Sequence, residues 1–173
     1  MSDLNSAIAE NRKAVDEFTA AARAVDAARW TLHPAEGKWS PAQIVEHIAL
    51  TYEYSRAVVN NSAPGPSAPR LLRPFVRVFF VRPVLKHGRF ARKASAPSMF
   101  QPTSVPADAA ELLPRLETAV RAFEDEVRAA DRSGRSAVDH PFFGKMPFTD
   151  YLQFQAIHAR HHRAQLPGAV ARV

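Results

Sequence analysis

Three of the chain's seven histidines fall within five residues, in Ile157-His158-Ala159-Arg160-His161-His162-Arg163-Ala164-Gln165. His158 and His162 are four apart, and on an α-helix that spacing stacks two side chains on one face, with Cβ atoms about 5–6 Å apart. Two imidazoles so placed can hold one metal ion. His47 lies in an earlier segment whose Ile44, His47, Thr51, Tyr54 and Val58 recur at gaps of three and four, so it belongs to a core-facing stripe of another helix. A buried imidazole must place both ring nitrogens, and desolvation disfavours its charged form. Three neutral imidazoles around one divalent ion meet both demands, each binding through one nitrogen at roughly 2.0–2.1 Å if the ion is zinc. Three protein ligands leave a position for water or substrate, the arrangement of a catalytic site, and a water or thiol bound there is easier to deprotonate. A histidine pair four apart also arises by chance. His47 on a second core stripe tips the reading toward a metal site made of His47, His158 and His162.

The neighbouring residues divide between chemistry and packing. His161 adjoins His162 and should point off the metal axis, as an outer partner of a ligand or as surface. His140 precedes Pro141 in a loop and reads as structural, while His33 and His87 carry no usable signal. Gln165, three residues past His162, is placed to bind water, substrate or a ligand histidine, or else simply ends the helix at the surface. Tyr54 and Thr51 lie two turns and one turn past His47 and can line a pocket, although a tyrosine on a seam is more often core with its hydroxyl at the edge. Gln165 and Tyr54 are the candidate catalytic groups. Arg163 faces solvent or an anionic group.

Four predicted helices position these residues. The first covers about Asp3 to Ala28, with Leu4, Ile8, Val15, Phe18, Ala22 and Val25 on one face and Asn11 out of pattern. The second opens at Ser40, an N-cap followed by Pro41 at the first helical position and by Gln43, which completes a capping box; it runs to about Asn61, with Trp39 as a hydrophobic staple before the cap. A third spans about Asp108 to Ala130 through Leu113, Leu116, Val120, Phe123 and Val127. Pro114, which cannot donate to the carbonyl four residues back, should kink its first turn or restart it. Residues 131–138 read as a polar turn and residues 139–147 as an aromatic loop. The fourth helix spans about Phe148 to Leu166, with Tyr151, Phe154, His158, His162 and Gln165 inward, and stops at Pro167-Gly168. No strand alternation competes, and no internal repeat is present. The expectation is an all-α four-helix bundle with a long Pro/Arg-rich crossover between helices two and three, one domain over residues 1–173.

That connection, residues 62–107, holds eight of the fourteen prolines. Its centre, Leu71 to Leu85, is strongly apolar but carries arginines, too short and too charged to span a bilayer. It suits short helices packed across the bundle, a pocket lining, a subunit contact or a seat on a membrane surface; packing or pairing is favoured, because a connection this long in a compact domain is usually ordered by something. The net charge of +6 is local to this region. Arg70, Arg73, Arg77, Arg82, Lys86, Arg89, Arg92 and Lys93 stand there with no acid among them, and the remainder of the chain carries −2. No nucleic-acid partner is therefore expected. The absence of cysteine removes disulfides, thiolate ligands and a cysteine nucleophile. With no basic-then-apolar N-terminal pattern, a cytoplasmic protein fits best.

Three stretches together resemble a known family. Trp39-Ser40-Pro41-Ala42-Gln43-Ile44-Val45-Glu46-His47 resembles the W-[ST]-x-x-E/Q-h-x-x-H element that opens the second helix of the DinB-like (YfiT-like) superfamily of metalloenzymes. His158 to Gln165 is similar to its closing H-x-x-H-H-R-x-Q element, and His140-Pro141-Phe142-Phe143-Gly144 to the H-P-x-F-G loop of an uncharacterised branch. The resemblance implies a four-helix bundle, often a homodimer, with a divalent ion (Zn, Ni, Fe or Mn) on His47, His158 and His162. It also implies a small-molecule substrate such as a low-molecular-weight thiol, through S-transferase or hydrolase chemistry. The chain departs from the common pattern at Ala164, where Gly is frequent, at Tyr151, where Trp is frequent, and in its basic Pro-rich segment. The ligands survive these changes and the substrate does not follow from them. A metal-binding stress or interaction module without turnover is the alternative, and a third reading gives the function to residues 70–93 as a contact for an anionic surface or nucleic acid.

Overall fold

The computed structural model describes residues 3–90, 96–104 and 107–168. Four long helices carry the core: α1 (Leu4–Arg23), α2 (Pro41–Val59), α5 (Ala109–Arg132) and α6 (Phe148–Arg163), with short α3 (Arg73–Val76) and α4 (Arg82–His87) between α2 and α5. The main pairings are α1 on α6 and α2 on α5. Between Pro41 and Val59 only Glu53 and Arg56 are exposed, so α2 is enclosed on nearly every side. That enclosure is why the helix is rich in apolar residues and why its few polar side chains must find partners inside.

The start of α2 is as its sequence demands. The Gln43 N–H donates to Ser40 Oγ at 3.3 Å and the Ser40 N–H to Gln43 Oε1 at 3.1 Å, a reciprocal capping box with Pro41 in the first turn. The first helix ends at Arg23, short of the expected Ala28, because the Asp26 carboxylate accepts the Ala28 N–H at 2.8 Å and folds Ala27–Arg29 into a single 3-10 turn. That turn brings Trp30 inward, where its indole N–H donates to the Ala107 carbonyl at 3.1 Å. Asn11, out of the apolar pattern, is nonetheless completely buried. The Tyr52 hydroxyl donates to its Oδ1 at 2.7 Å, its Nδ2 donates to Glu124 Oε1 at 3.2 Å, and Arg12 pairs with the same carboxylate. A shared polar network at the α1–α2–α5 contact thus replaces the apolar contact that the periodicity would place there.

Helix α5 does not restart at Pro114. It continues through Pro114 from its Asp108 cap, whose carboxylate accepts the Glu111 N–H at 3.0 Å. Proline costs one backbone hydrogen bond there, and the buried Leu112, Leu113 and Leu116 around it hold the turn in register. The expected polar turn and aromatic loop before α6 are instead a short antiparallel hairpin, β1 (Ala137–His140) and β2 (Gly144–Pro147), with His140 opposite Gly144. Two four-residue strands are too short to show alternation, and a Gly at positive φ (68°) closes the three-residue loop. A side chain at Gly144 would also press on Arg73, its Cβ 3.3 Å from that of the arginine.

Residues 73–87 form an unbroken helical rod, in which α3 passes through a π-helical turn (Arg77–Val81) into α4 and ends at Gly88 in the left-handed conformation. Pro74 sits in the opening turn of the rod, where a missing N–H costs least, whereas Pro83 lies inside it, just after the π-helical turn. Val81 and Val84 are buried, with Phe80, Leu85 and Phe90 packed against the core, while the Arg73 guanidinium donates to the Ala68 carbonyl and that of Arg77 to the Lys145 carbonyl. One side of the segment thus packs against the core, with α4 beside α6. Arg92 and Lys93 lie outside the described residues. No helix among the described residues is long and apolar enough to cross a membrane.

Candidate metal centre

His47, His158 and His162 converge. Nε2 of His158 lies 3.3 Å from Nε2 of His47 and 3.0 Å from Nε2 of His162, and one ligand atom from each residue falls within 4.8 Å of the others. Two nitrogens bound tetrahedrally to one zinc-sized ion would stand about 3.3 Å apart. The opposite sides of two rings explain what the convergence is for. His47 Nδ1 is 2.7 Å from the Phe100 carbonyl and His162 Nδ1 is 2.9 Å from Gln165 Oε1, both of them acceptors, so each Nδ1 carries the proton and each Nε2 presents a lone pair. His158 Nε2 has at most one proton to offer between two such lone pairs. The donor set fits a divalent cation.

Burial reinforces that state. It lowers the His158 imidazole well below its ordinary value, and the neighbouring His162 and His47 add to the effect. His162 is pushed down to about 3 by burial first and then by His47 and His161, against the upward pull of its Gln165 bond. Burial also lowers His47, opposed by the Phe100 carbonyl. All three rings stay neutral near pH 7, the form that ligates a metal.

Each ring is placed by local structure. His47 lies two turns into α2, and the same helix holds the turn that orients it: Glu46 Oε2 accepts both the N–H and the hydroxyl of Thr103 at 3.0 Å, and Gln43 Nε2 donates to the Thr103 carbonyl at 3.2 Å. These bonds fix the segment after the Ser98–Phe100 3-10 turn, whose last carbonyl reaches His47. His158 and His162 occupy successive turns near the C-terminal end of α6. Trp39 lies against His47 with ring centroids 4.7 Å apart and near-parallel to His162 at 6.2 Å. Phe90 covers the other side, 5.7 Å from His158 and 5.2 Å from His161, and continues through Phe154, Phe80 and Phe143 as an aromatic wall.

The remaining candidates separate clearly. Gln165 is an orienting partner: its Oε1 holds His162 and its Nε2 donates to His161 Nε2 at 3.2 Å. His161 is exposed and belongs to the outer layer, not to the ligand set. Tyr54 stands against Phe100, centroids 5.0 Å apart, and near His140; its buried hydroxyl has no hydrogen-bond partner among the described residues. Thr51 donates to the Ile48 carbonyl, a helix-internal bond. His140 is structural: its Nδ1 accepts from the N–H groups of Phe142 and Phe143, its ring stacks on Phe143 at 4.2 Å, and burial pushes it down to about 3, with Arg73 adding to the effect. Arg163 reaches Glu17 at 3.5 Å. Sequence reasoning missed Phe100 and Phe90. A backbone carbonyl has no residue signature, and Phe90 lies in a segment without periodicity. Trp39 was legible as a staple before the Ser40 cap and as the opening residue of the family-like element, but not as a ring lying against His47 and His162.

A family model described as the DinB superfamily matches residues 10–166. Among solved structures, the crystal structure of TT2238, a four-helix bundle protein, aligns with a TM-score of 0.59 at 21% identity, covering 95% of this chain and 98% of that one. No curated protein matches the sequence.

Proposed function

Because the chain belongs to the DinB superfamily, we propose that it is a metal-dependent enzyme in which His47, His158 and His162 hold one divalent ion and a low-molecular-weight thiol or water is the nucleophile, in S-transfer or hydrolysis. The observation that carries this reading is the set of three Nε2 atoms facing one another while Phe100 and Gln165 occupy the outer nitrogens of two of the rings. When bound, the ion would supply Lewis acidity, and three protein ligands would leave it a coordination position for a thiol or water whose deprotonation it eases at neutral pH. The chain's own residues do the rest. Gln165 and the Phe100 carbonyl hold two rings in one tautomer, so no reorganisation is needed at the ligands. Trp39 and Phe90 keep bulk water from the flanks of the cluster. Tyr54 is assigned a supporting role beside the Phe100 ring: burial raises the pKa of its phenol, and its buried hydroxyl has no hydrogen-bond partner among the described residues.

The test begins with metal content. Protein purified without added metal should carry close to one divalent ion per chain, and His47→Ala and His158→Ala should lose it; equal, low content in all three would end the proposal. Thiol-transfer and ester-hydrolysis assays of the Zn-, Ni-, Mn- and Fe-loaded protein then separate turnover from metal binding alone. Loss of activity in the same two variants, with the helical content unchanged, is the expected result.

A further inference from the structure

We propose that the outward face of the 73–87 rod seats the protein on an anionic phospholipid bilayer. Six large apolar side chains are exposed among the described residues, and five of them, Leu71, Leu72, Phe75, Val78 and Phe79, lie within nine residues on this rod and its entry. They are not marginal: Leu71 is 86%, Phe79 77% and Phe75 60% exposed. These five side chains are exposed together along the rod and its entry, and the exposure continues into Arg82 and Lys86, followed by Arg89, with Arg70 at the other end. Arg73 and Arg77 pair with Asp139 and Asp150 of the body, whereas Arg70, Arg82, Lys86 and Arg89 have no ion-pair partner among the described residues. An open depression of about 440 Å³ lined by Val78, Arg82, Pro83, Lys86 and His87 lies where the apolar and basic stretches meet.

Both halves of this face match one occupant. Aromatic and aliphatic side chains bordered by cations suit a helix lying in the headgroup region, apolar residues in the acyl boundary and cations on phosphates. The rod is already folded and packed through Val81 and Val84, so docking requires no coupled ordering of the segment. A second copy of the chain fits less well. An isologous contact through this face would bring a cationic run with no acid in residues 70–90 near its own image. Duplex nucleic acid would satisfy the cations but set five apolar side chains against phosphates and water.

Flotation of the metal-loaded full chain with vesicles tests the assignment. Vesicles of equal parts phosphatidylcholine and phosphatidylglycerol should carry the protein upward, and vesicles of phosphatidylcholine alone should not. Phe75→Ser with Phe79→Ser, and separately Arg82→Glu with Lys86→Glu, should each lower the bound fraction by about tenfold or more, with thermal unfolding unchanged because these side chains are exposed. A tryptophan introduced by Phe79→Trp should shift its emission to the blue on anionic vesicles. Absence of binding to anionic vesicles at low salt overturns the proposal. So does binding that the two serine substitutions leave intact, a Phe79 variant that changes only the sedimenting mass, which assigns the face to a second copy, or tighter binding to duplex DNA lost only on charge reversal.

Discussion

Gln165→Ala is the perturbation that probes the tautomer argument most directly. The wild-type amide oxygen accepts the His162 Nδ1 proton at 2.9 Å, and its nitrogen donates to His161 at 3.2 Å. Removing the side chain leaves His162 free to rotate and to carry its proton on Nε2, the atom that faces the metal position. Loss of such an outer partner costs metal affinity about 10–100-fold. Gln165 is exposed and water can take over as acceptor, so the low end is expected, a rise in Kd of about tenfold, or about 1.4 kcal/mol. Gln165→Glu keeps an acceptor, adds charge and should restore binding to the wild-type value or better. Competition against a chromophoric chelator at fixed pH measures all three proteins, with His162→Ala as the variant that loses the ligand itself. If Gln165→Ala binds zinc within twofold of wild type while His162→Ala does not bind, the bond does not set the tautomer and the reasoning is refuted.

Three further outcomes follow from the same structure. Zinc at a hundred times its Kd should stabilise the fold by about 2.7 kcal/mol, raising the melting temperature by about 5–11 °C; a chelator should reverse the shift and His158→Ala should show none. Asn11→Ala leaves the Tyr52 hydroxyl and one Glu124 oxygen without partners inside the core, and urea unfolding should show a loss of about 2–4 kcal/mol; a loss under about 1 kcal/mol would mean that water replaces the amide. Acid should destabilise the apo protein. His140 and His162 have folded values near 3, below their ordinary values, so the unfolded chain takes up protons that the folded one cannot. Their contribution is complete above about pH 6.5 and is lost as pH falls toward 3, by at most about 1.4 kcal/mol per pH unit for each ring. His140→Asn should flatten this dependence by one proton's worth; an unchanged slope would show that His140 titrates normally.

The architecture was legible because helices announce themselves locally. Ser40, Pro41 and Gln43 state the start of α2, and the threes and fours of Leu113 to Val127 state one face of α5. The ligand pair was legible for the same reason: i and i+4 on one helix is a property of the helix itself. His47 needed only the phase of its own stripe. The hairpin around His140 and the early end of α1 were not legible, since four-residue strands hold too few positions to set a period and a short Asp26 turn competes locally with helix continuation. Nor did periodicity find the burial of Asn11, because its partners Tyr52 and Glu124 stand 41 and 113 residues away.

The sequence by itself thus determined four amphipathic helices and three histidines able to share an ion. Only the tertiary structure decided which nitrogen of the His47 and His162 rings faces inward, because that choice is made by the Phe100 carbonyl and the Gln165 amide. It also decided which side of the 70–90 segment is spent on the core and which is left outward. Phe80 and Phe79 are chemically identical and adjacent in sequence, and only the placement of the rod against the body turns one toward Phe143 and Phe154 and the other to solvent.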